Sequence, residues 1–173
     1  MKRLLCLAII LGMVAAGFSA IAQEEPVYLG TAIRSLSNPY HAVWAEGATA
    51  FAKSLGWEEY NVIQTCEGSS EKQLNDIKAL VARSQGNVVF SIDPNQATDT
   101  PAIANELEKS GVYFVTWWNK PDEVKVSDYK YWVCHVTFDN RVSGYNTAKI
   151  LFDSIGGSGK VFALQGLLGN SST

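Results

Sequence analysis

The sequence predicts an α/β protein built on a mainly parallel, doubly wound sheet. Three observations carry this. Short β-rich runs alternate with helical stretches in the order β-α-β-α-β-α-β-β-α-β. Residues 87–92 (NVVFSI) form a nearly unbroken apolar run, as expected of a strand covered on both faces. Cap-then-proline signals at Asn38-Pro39 and Asp99-Thr100-Pro101 start helices shortly after strands.

Taken in order, residues 27–33 (VYLGTAI) read as the first strand. A helix follows from Asn38, with Trp44, Ala48, Phe51, Ala52 and Leu55 on one face, and Gly56 ends it. Residues 59–65 (EYNVIQT) are the second strand. Ser69 or Ser70 caps the next helix, which turns Leu74, Ile77, Leu80 and Val81 inward. After the third strand, a helix runs to Ser110-Gly111, and residues 112–117 (VYFVTW) form the fourth strand. Residues 131–137 (YWVCHVT) form the fifth. Asp139 or Asn140 opens a helix with Gly144, Ala148, Leu151, Phe152 and Ile155 inward, and Gly156-Gly157-Ser158-Gly159 closes it. Residues 160–164 (KVFAL) are expected to be a sixth strand.

Residues 1–22 read differently. Lys2 and Arg3 precede an apolar run, and Ala20-Ile21-Ala22 is an A-x-A cleavage site before polar Gln23-Glu24-Glu25. This is the pattern of a secretory signal peptide cleaved after Ala22, with a periplasm as its destination. An uncleaved anchor helix is the competing reading, since the run approaches spanning length. Cleavage takes two of the fourteen basic residues and leaves seventeen acidic ones, a net charge of −5. No basic cluster is left to bind phosphate, so nucleic acid is not an expected partner. Two histidines exclude a His-rich metal site but leave a mixed one open, three cysteines are too few for a disulfide scaffold, and nothing calls for a cofactor.

Ligands of such sheets sit beyond the carboxyl ends of the strands. That directs attention to residues 34–41, 66–69, 93–97, 117–121, 138–141 and 165–172. Several of these carry a resemblance. Ser37-Asn38-Pro39-Tyr40-His41 with Glu46-Gly47 and Ala50 is similar to the N-P-F-F…E-G…A signature of the periplasmic sugar receptors of ABC importers, of the ribose- and galactose-binding type. Ser91-Ile92-Asp93-Pro94 resembles that family's strand-end turn, and residues 111–115 its G-I-P-V-V strand. Phe138-Asp139-Asn140 with Gly144 resembles its first interdomain crossing, and residues 159–169 the opening of its second lobe.

The resemblance implies the type I periplasmic binding protein fold, two lobes with a sugar between them. On that pattern residues 23–138 are an incomplete first lobe and residues 139–173 the start of the second. The expected partners are a sugar or polyol and the membrane permease of an ABC importer, with a monomer when full length. The chain reads as the first part of such a receptor, with a sheet edge and an apolar face left uncovered.

Sugar hydroxyls need planar groups that donate and accept, and the C–H faces of the ring need aromatic walls. Asn38 and Tyr40 offer one of each. Asn38 serves equally as a helix cap, and Tyr40 as a core cover. His41 stands at the second aromatic position of the motif, as a ligand partner or a packed neighbour. Arg34 stands where the family has a small polar contact, and a solvated surface role suits it better. Where the family often has Asp-Arg, this chain has Trp118-Asn119. Successive strand residues face opposite ways, so one of Trp117 and Trp118 is buried and the other meets the cleft. Trp118 is assigned as the wall and Asn119 as a hydroxyl partner. With both charges lost, a different sugar, a polyol or a sugar derivative is expected as much as ribose or galactose. Asp139 caps a helix or contacts ligand, the cap being favoured, and Gln165 ends the sixth strand near the cleft. In the family's strand order Cys66 and Cys134 fall on opposite edges of the sheet, too far apart to bridge.

An enzyme is not expected, because neither G-x-S-x-G nor H-E-x-x-H occurs and the glycine-rich turn lacks a Walker lysine. A sugar sensor feeding chemotaxis or a kinase is the alternative on the same fold.

Overall fold

A computed structural model describes residues 26–164. Five strands form one parallel sheet: β1 (Tyr28–Ile33), β2 (Asn61–Thr65), β3 (Val88–Ile92), β4 (Phe114–Trp117) and β5 (Trp132–Val136). Their order is β2-β1-β3-β4-β5. The helices are α1 (Pro39–Leu55), α2 (Ser70–Arg83), α3 (Thr100–Ser110) and α4 (Asn140–Ser154). Among the described residues none is long and apolar enough to cross a membrane.

The helix ends follow the local chemistry read from the sequence. Ser69 caps α2 by accepting from the Lys72 N–H, and Asp139 caps α4. Gly56 and Gly111 take left-handed conformations at φ 71° and 67° and close α1 and α3. Cys66 and Cys134 are both free thiols, one just past β2 and the other on β5. Those strands are the two edges of the sheet.

The main core lies on one face of the sheet. Phe90, Ile92 and Phe114 pack there with Ile77 and Leu80 of α2 and Ile103 and Leu107 of α3. On the other face α1 packs on β1 and β2 and reaches β3 through Trp44. Its Trp44 stacks on Trp117 with ring centroids 4.0 Å apart, and both indole N–H groups donate to the Ser91 hydroxyl at 3.2 Å. That double anchor fixes where the start of α1 meets the strand ends.

The structure corrects the sequence in four places. The inward face of α1 is His41, Ala45 and Ala52, whereas Phe51 and Leu55 are exposed. The apolar stripe of α1 is wider than its contact with the sheet. β3 is covered on one face only over its middle, since Val89 is exposed. Val89, Phe51 and Val133 border an open apolar hollow of about 670 Å³ on the α1 side. α4 has no buried residue, because its expected inward side meets no sheet among the described residues. Residues 160–164 are not a strand, since no described strand lies beside them to share a ladder.

Candidate binding site

The carboxyl ends of β1, β3 and β4 meet at one mouth. From β1 the chain turns through residues 34–38 into α1. Asn38 Oδ1 accepts from the Tyr40 N–H at 3.0 Å, and Pro39 occupies the first turn. The cap uses the oxygen of the Asn38 amide, and the side chain stands exposed. Tyr40 is partly exposed at the rim. His41 turns inward and is 3% exposed.

β4 ends in an unusual turn. Trp117 is buried and continues the strand, but Trp118 has φ 65°. The Asn119 N–H donates to the Trp117 carbonyl at 2.9 Å across it. A three-residue turn with a positive φ at its centre is rare and strained, the more so for a bulky residue. The Trp118 N–H donates to the Val136 carbonyl at 2.9 Å, which holds the turn against β5. The turn swings the Trp118 ring to the rim, where it meets Tyr40 edge-on with centroids 4.8 Å apart. One tryptophan of the pair is thus buried and the other stands at the mouth.

Beneath these rings lies a buried polar cluster. His41 Nε2 is 2.8 Å from Asp93 Oδ2, and Asn119 Nδ2 donates to Asp93 Oδ1 at 3.2 Å and to the Pro94 carbonyl at 2.9 Å. Asp93, at the end of β3, is itself fixed: its N–H donates to the Ala32 carbonyl at 2.9 Å. Its carbonyl accepts from Gln73 Nε2 at 2.7 Å, and Gln73 Oε1 accepts from the Asn95 N–H at 2.8 Å. Burial raises the Asp93 carboxyl above the usual carboxylate range, and its bonds with His41 and Asn119 pull it back. His41 Nδ1 is buried with no hydrogen-bond partner among the described residues.

Beside Trp118 a polar hollow of about 530 Å³ is walled by His135, Thr137, Asp139 and Asn140. His135 Nδ1 lies 2.8 Å from the Thr116 hydroxyl. Burial, with help from Lys120, lowers the imidazole to about 4, so it is neutral here at ordinary pH. Asp139 Oδ1 accepts from the Arg141 N–H at 3.1 Å, the capping role, while its residue also lines the hollow.

Of the residues singled out from sequence, the fold brings Tyr40 and Trp118 into contact and places Asp139 beside Trp118. His41 and Asn119 lie under the rims and are bonded to protein. Gln165 and the cleavage site after Ala22 lie outside the described residues. The Arg34 guanidinium lies over Gly68, 3.3 Å from where a Cβ would stand there. Gln73 was missed, because a glutamine on a helix reads as outward-facing. Asp93 stands in a strand-end segment and a turn motif but was not among the site residues, although a lone acid at the end of an apolar strand is a usable signal.

A parallel α/β lobe with an aromatic rim and polar groups at its strand ends is the architecture of a ligand-binding lobe. The chain belongs to the periplasmic binding protein domain family, whose model matches residues 29–173. It is 29% identical over 148 residues to the ribose import binding protein of Bacillus subtilis (strain 168), covering 84% of this chain and 44% of that one. A solved twin-arginine translocation pathway signal protein from Burkholderia phytofirmans is 41% identical with a TM-score of 0.80, over 86% of this chain and 46% of the other. The arabinose transporter's periplasmic binding component from Shewanella sp. ANA-3, bound to arabinofuranose, shares the fold at a TM-score of 0.68 and 16% identity, over 84% of this chain and 46% of that one. The chain spans about half the length of the relatives it matches. The sheet is one lobe of the type I periplasmic binding protein fold. The Bacillus subtilis and Shewanella relatives are binding proteins.

Proposed function

We propose that the protein is a periplasmic receptor that captures a sugar, polyol or sugar derivative and presents it to the membrane permease of an ABC importer. The observation that carries this reading is the Tyr40–Trp118 pair at the strand ends, 4.8 Å between centroids, in a family of periplasmic binding proteins. Ring C–H faces of a sugar pack on such walls. Asn38 supplies donors to hydroxyls from the exposed end of its amide, and Asp139 an acceptor from the hollow beside Trp118. His41 and Asn119 contribute from below, by holding the walls. Residues 23–138 belong to one lobe and residues 139–173 open the second, with export and cleavage after Ala22. Ligand capture then shifts the population from open to closed lobes.

The test is calorimetry on the protein recovered from the periplasm of its own cells, against a panel of pentoses, hexoses and polyols, with intact mass recorded. Micromolar or tighter binding of one panel member supports the receptor. A well-folded protein of full mass that binds none of them would overturn it.

A further inference from the structure

The two rim rings are each followed in sequence by a residue that turns down onto the same carboxylate. His41 follows Tyr40 and Asn119 follows Trp118. His41 Nε2 stands 2.8 Å from Asp93 Oδ2 and Asn119 Nδ2 stands 3.2 Å from Asp93 Oδ1. All three residues are buried, so water does not compete for these bonds. The Asp93 backbone that carries this carboxylate is itself held, by the Ala32 carbonyl on one side and by Gln73 on the other. The helix start that carries Tyr40 and the strained turn that carries Trp118 therefore share one anchor.

We propose that Asp93 is the positioning residue of the site: its carboxylate sets the Tyr40–Trp118 spacing by holding His41 and Asn119 at once. This rests on the reading that those two rings wall the ligand. Arg34 and the Tyr40 phenol are the other titratable groups in the field of Asp93.

The clamp dictates a histidine tautomer. With a neutral imidazole, an ionised Asp93 accepts from His41 Nε2–H and Nδ1 is left as an acceptor, an atom with no partner among the described residues. The amide introduced by Asp93→Asn still accepts from Asn119 but donates to His41 Nε2, so the ring proton must move to Nδ1.

The experiment uses the full-length protein and three readouts: the His41 tautomer from imidazole nitrogen shifts, the near-ultraviolet circular dichroism of the aromatic cluster, and affinity for the sugar identified by the panel. The expected wild-type tautomer is Nε2–H, changing to Nδ1–H in Asp93→Asn. Losing a charge-assisted bond should weaken sugar binding by about three- to tenfold in Asp93→Asn, and Asp93→Ala should lose about tenfold or more and alter the aromatic spectrum. Ile103→Val, on the buried face of α3, should lower stability with affinity unchanged. If Asp93→Ala does not fold, the isosteric Asp93→Asn carries the test. A wild-type Nδ1–H tautomer, or variants with wild-type affinity and aromatic spectrum, would overturn the clamp. Absence of any sugar binding by wild type would sink the receptor reading alone, since the tautomer and the spectrum still report on the clamp.

Discussion

Tyr40 and Trp118 meet edge to face across the mouth of the sheet, with centroids 4.8 Å apart and planes at 86°. They stand 78 positions apart in the chain, and each reaches the rim by a different device. Tyr40 is lifted by a capped first helical turn. Trp118 is lifted by a backbone conformation that side chains other than glycine avoid. Edge-to-face pairs contribute about 0.5–1.5 kcal/mol beyond area burial, comparable to the strain the turn stores.

That strain makes a comparison of two variants informative. At φ 65° a residue with a Cβ is penalised and glycine is not. Both Trp118→Ala and Trp118→Gly lose the ring. Urea unfolding should therefore find Trp118→Gly more stable than Trp118→Ala by about 1 kcal/mol, the reverse of the usual order. Equal stabilities would mean that the turn relaxes once the ring is gone.

Asn38 combines a cap with a candidate ligand contact, and substitution can separate them. Asn38→Ser keeps an oxygen for the Tyr40 N–H and removes the amide donors. Its stability should match wild type, with sugar affinity reduced. Asn38→Ala should lose about 1 kcal/mol as well, the usual worth of a cap. Thermal unfolding alongside calorimetry distinguishes the two roles.

How much of this was legible in the sequence depends on the range of the interaction. Caps and stops at Asn38, Ser69, Gly56 and Gly111 are local, and strand alternation requires that Trp117 and Trp118 part ways, but the turn at Trp118 that brings its ring to the rim leaves no mark in the sequence. The order of the strands follows from right-handed crossovers and the family likeness. The Asp93 cluster was not legible, since its partners lie 52 and 26 positions away and burial of a polar group leaves no periodic trace. Phe51 shows the opposite failure: its periodicity is helical and apolar, but nothing described packs on that side of α1. The expected strand at residues 160–164 has the right composition, yet a strand exists only through a neighbour.

Gly30 tests packing away from the mouth. A Cβ there would stand 2.5 Å from the Phe90 ring and 3.0 Å from Leu80, both buried in the main core. Gly30→Ala gains a little from a stiffer unfolded chain, but the overlap dominates, and a net loss of about 1–2 kcal/mol is expected. The urea midpoint should fall with the slope unchanged. A wild-type midpoint would mean that the Phe90 ring has room to shift.

His135 sets a pH dependence whose direction can be worked out. Burial lowers its imidazole to about 4 from an ordinary 6.5. Above 6.5 neither folded nor unfolded protein binds this proton, and the contribution to stability is complete. Between 6.5 and about 4 the unfolded chain takes up a proton that the folded one refuses, so stability is lost as the pH falls through that window. Asp93 acts in the opposite sense. Its raised carboxyl keeps its proton longer in the folded state, so its contribution is largest below 3.8 and is lost as the pH rises. The two are separated by substitution. In urea titrations, His135→Gln should flatten the fall between pH 6.5 and about 4, and Asp93→Asn should remove the stability that Asp93 gains as the pH falls toward 3.8. If His135→Gln follows the wild-type curve, the imidazole is solvated and the hollow beside Trp118 is wetter than its walls imply.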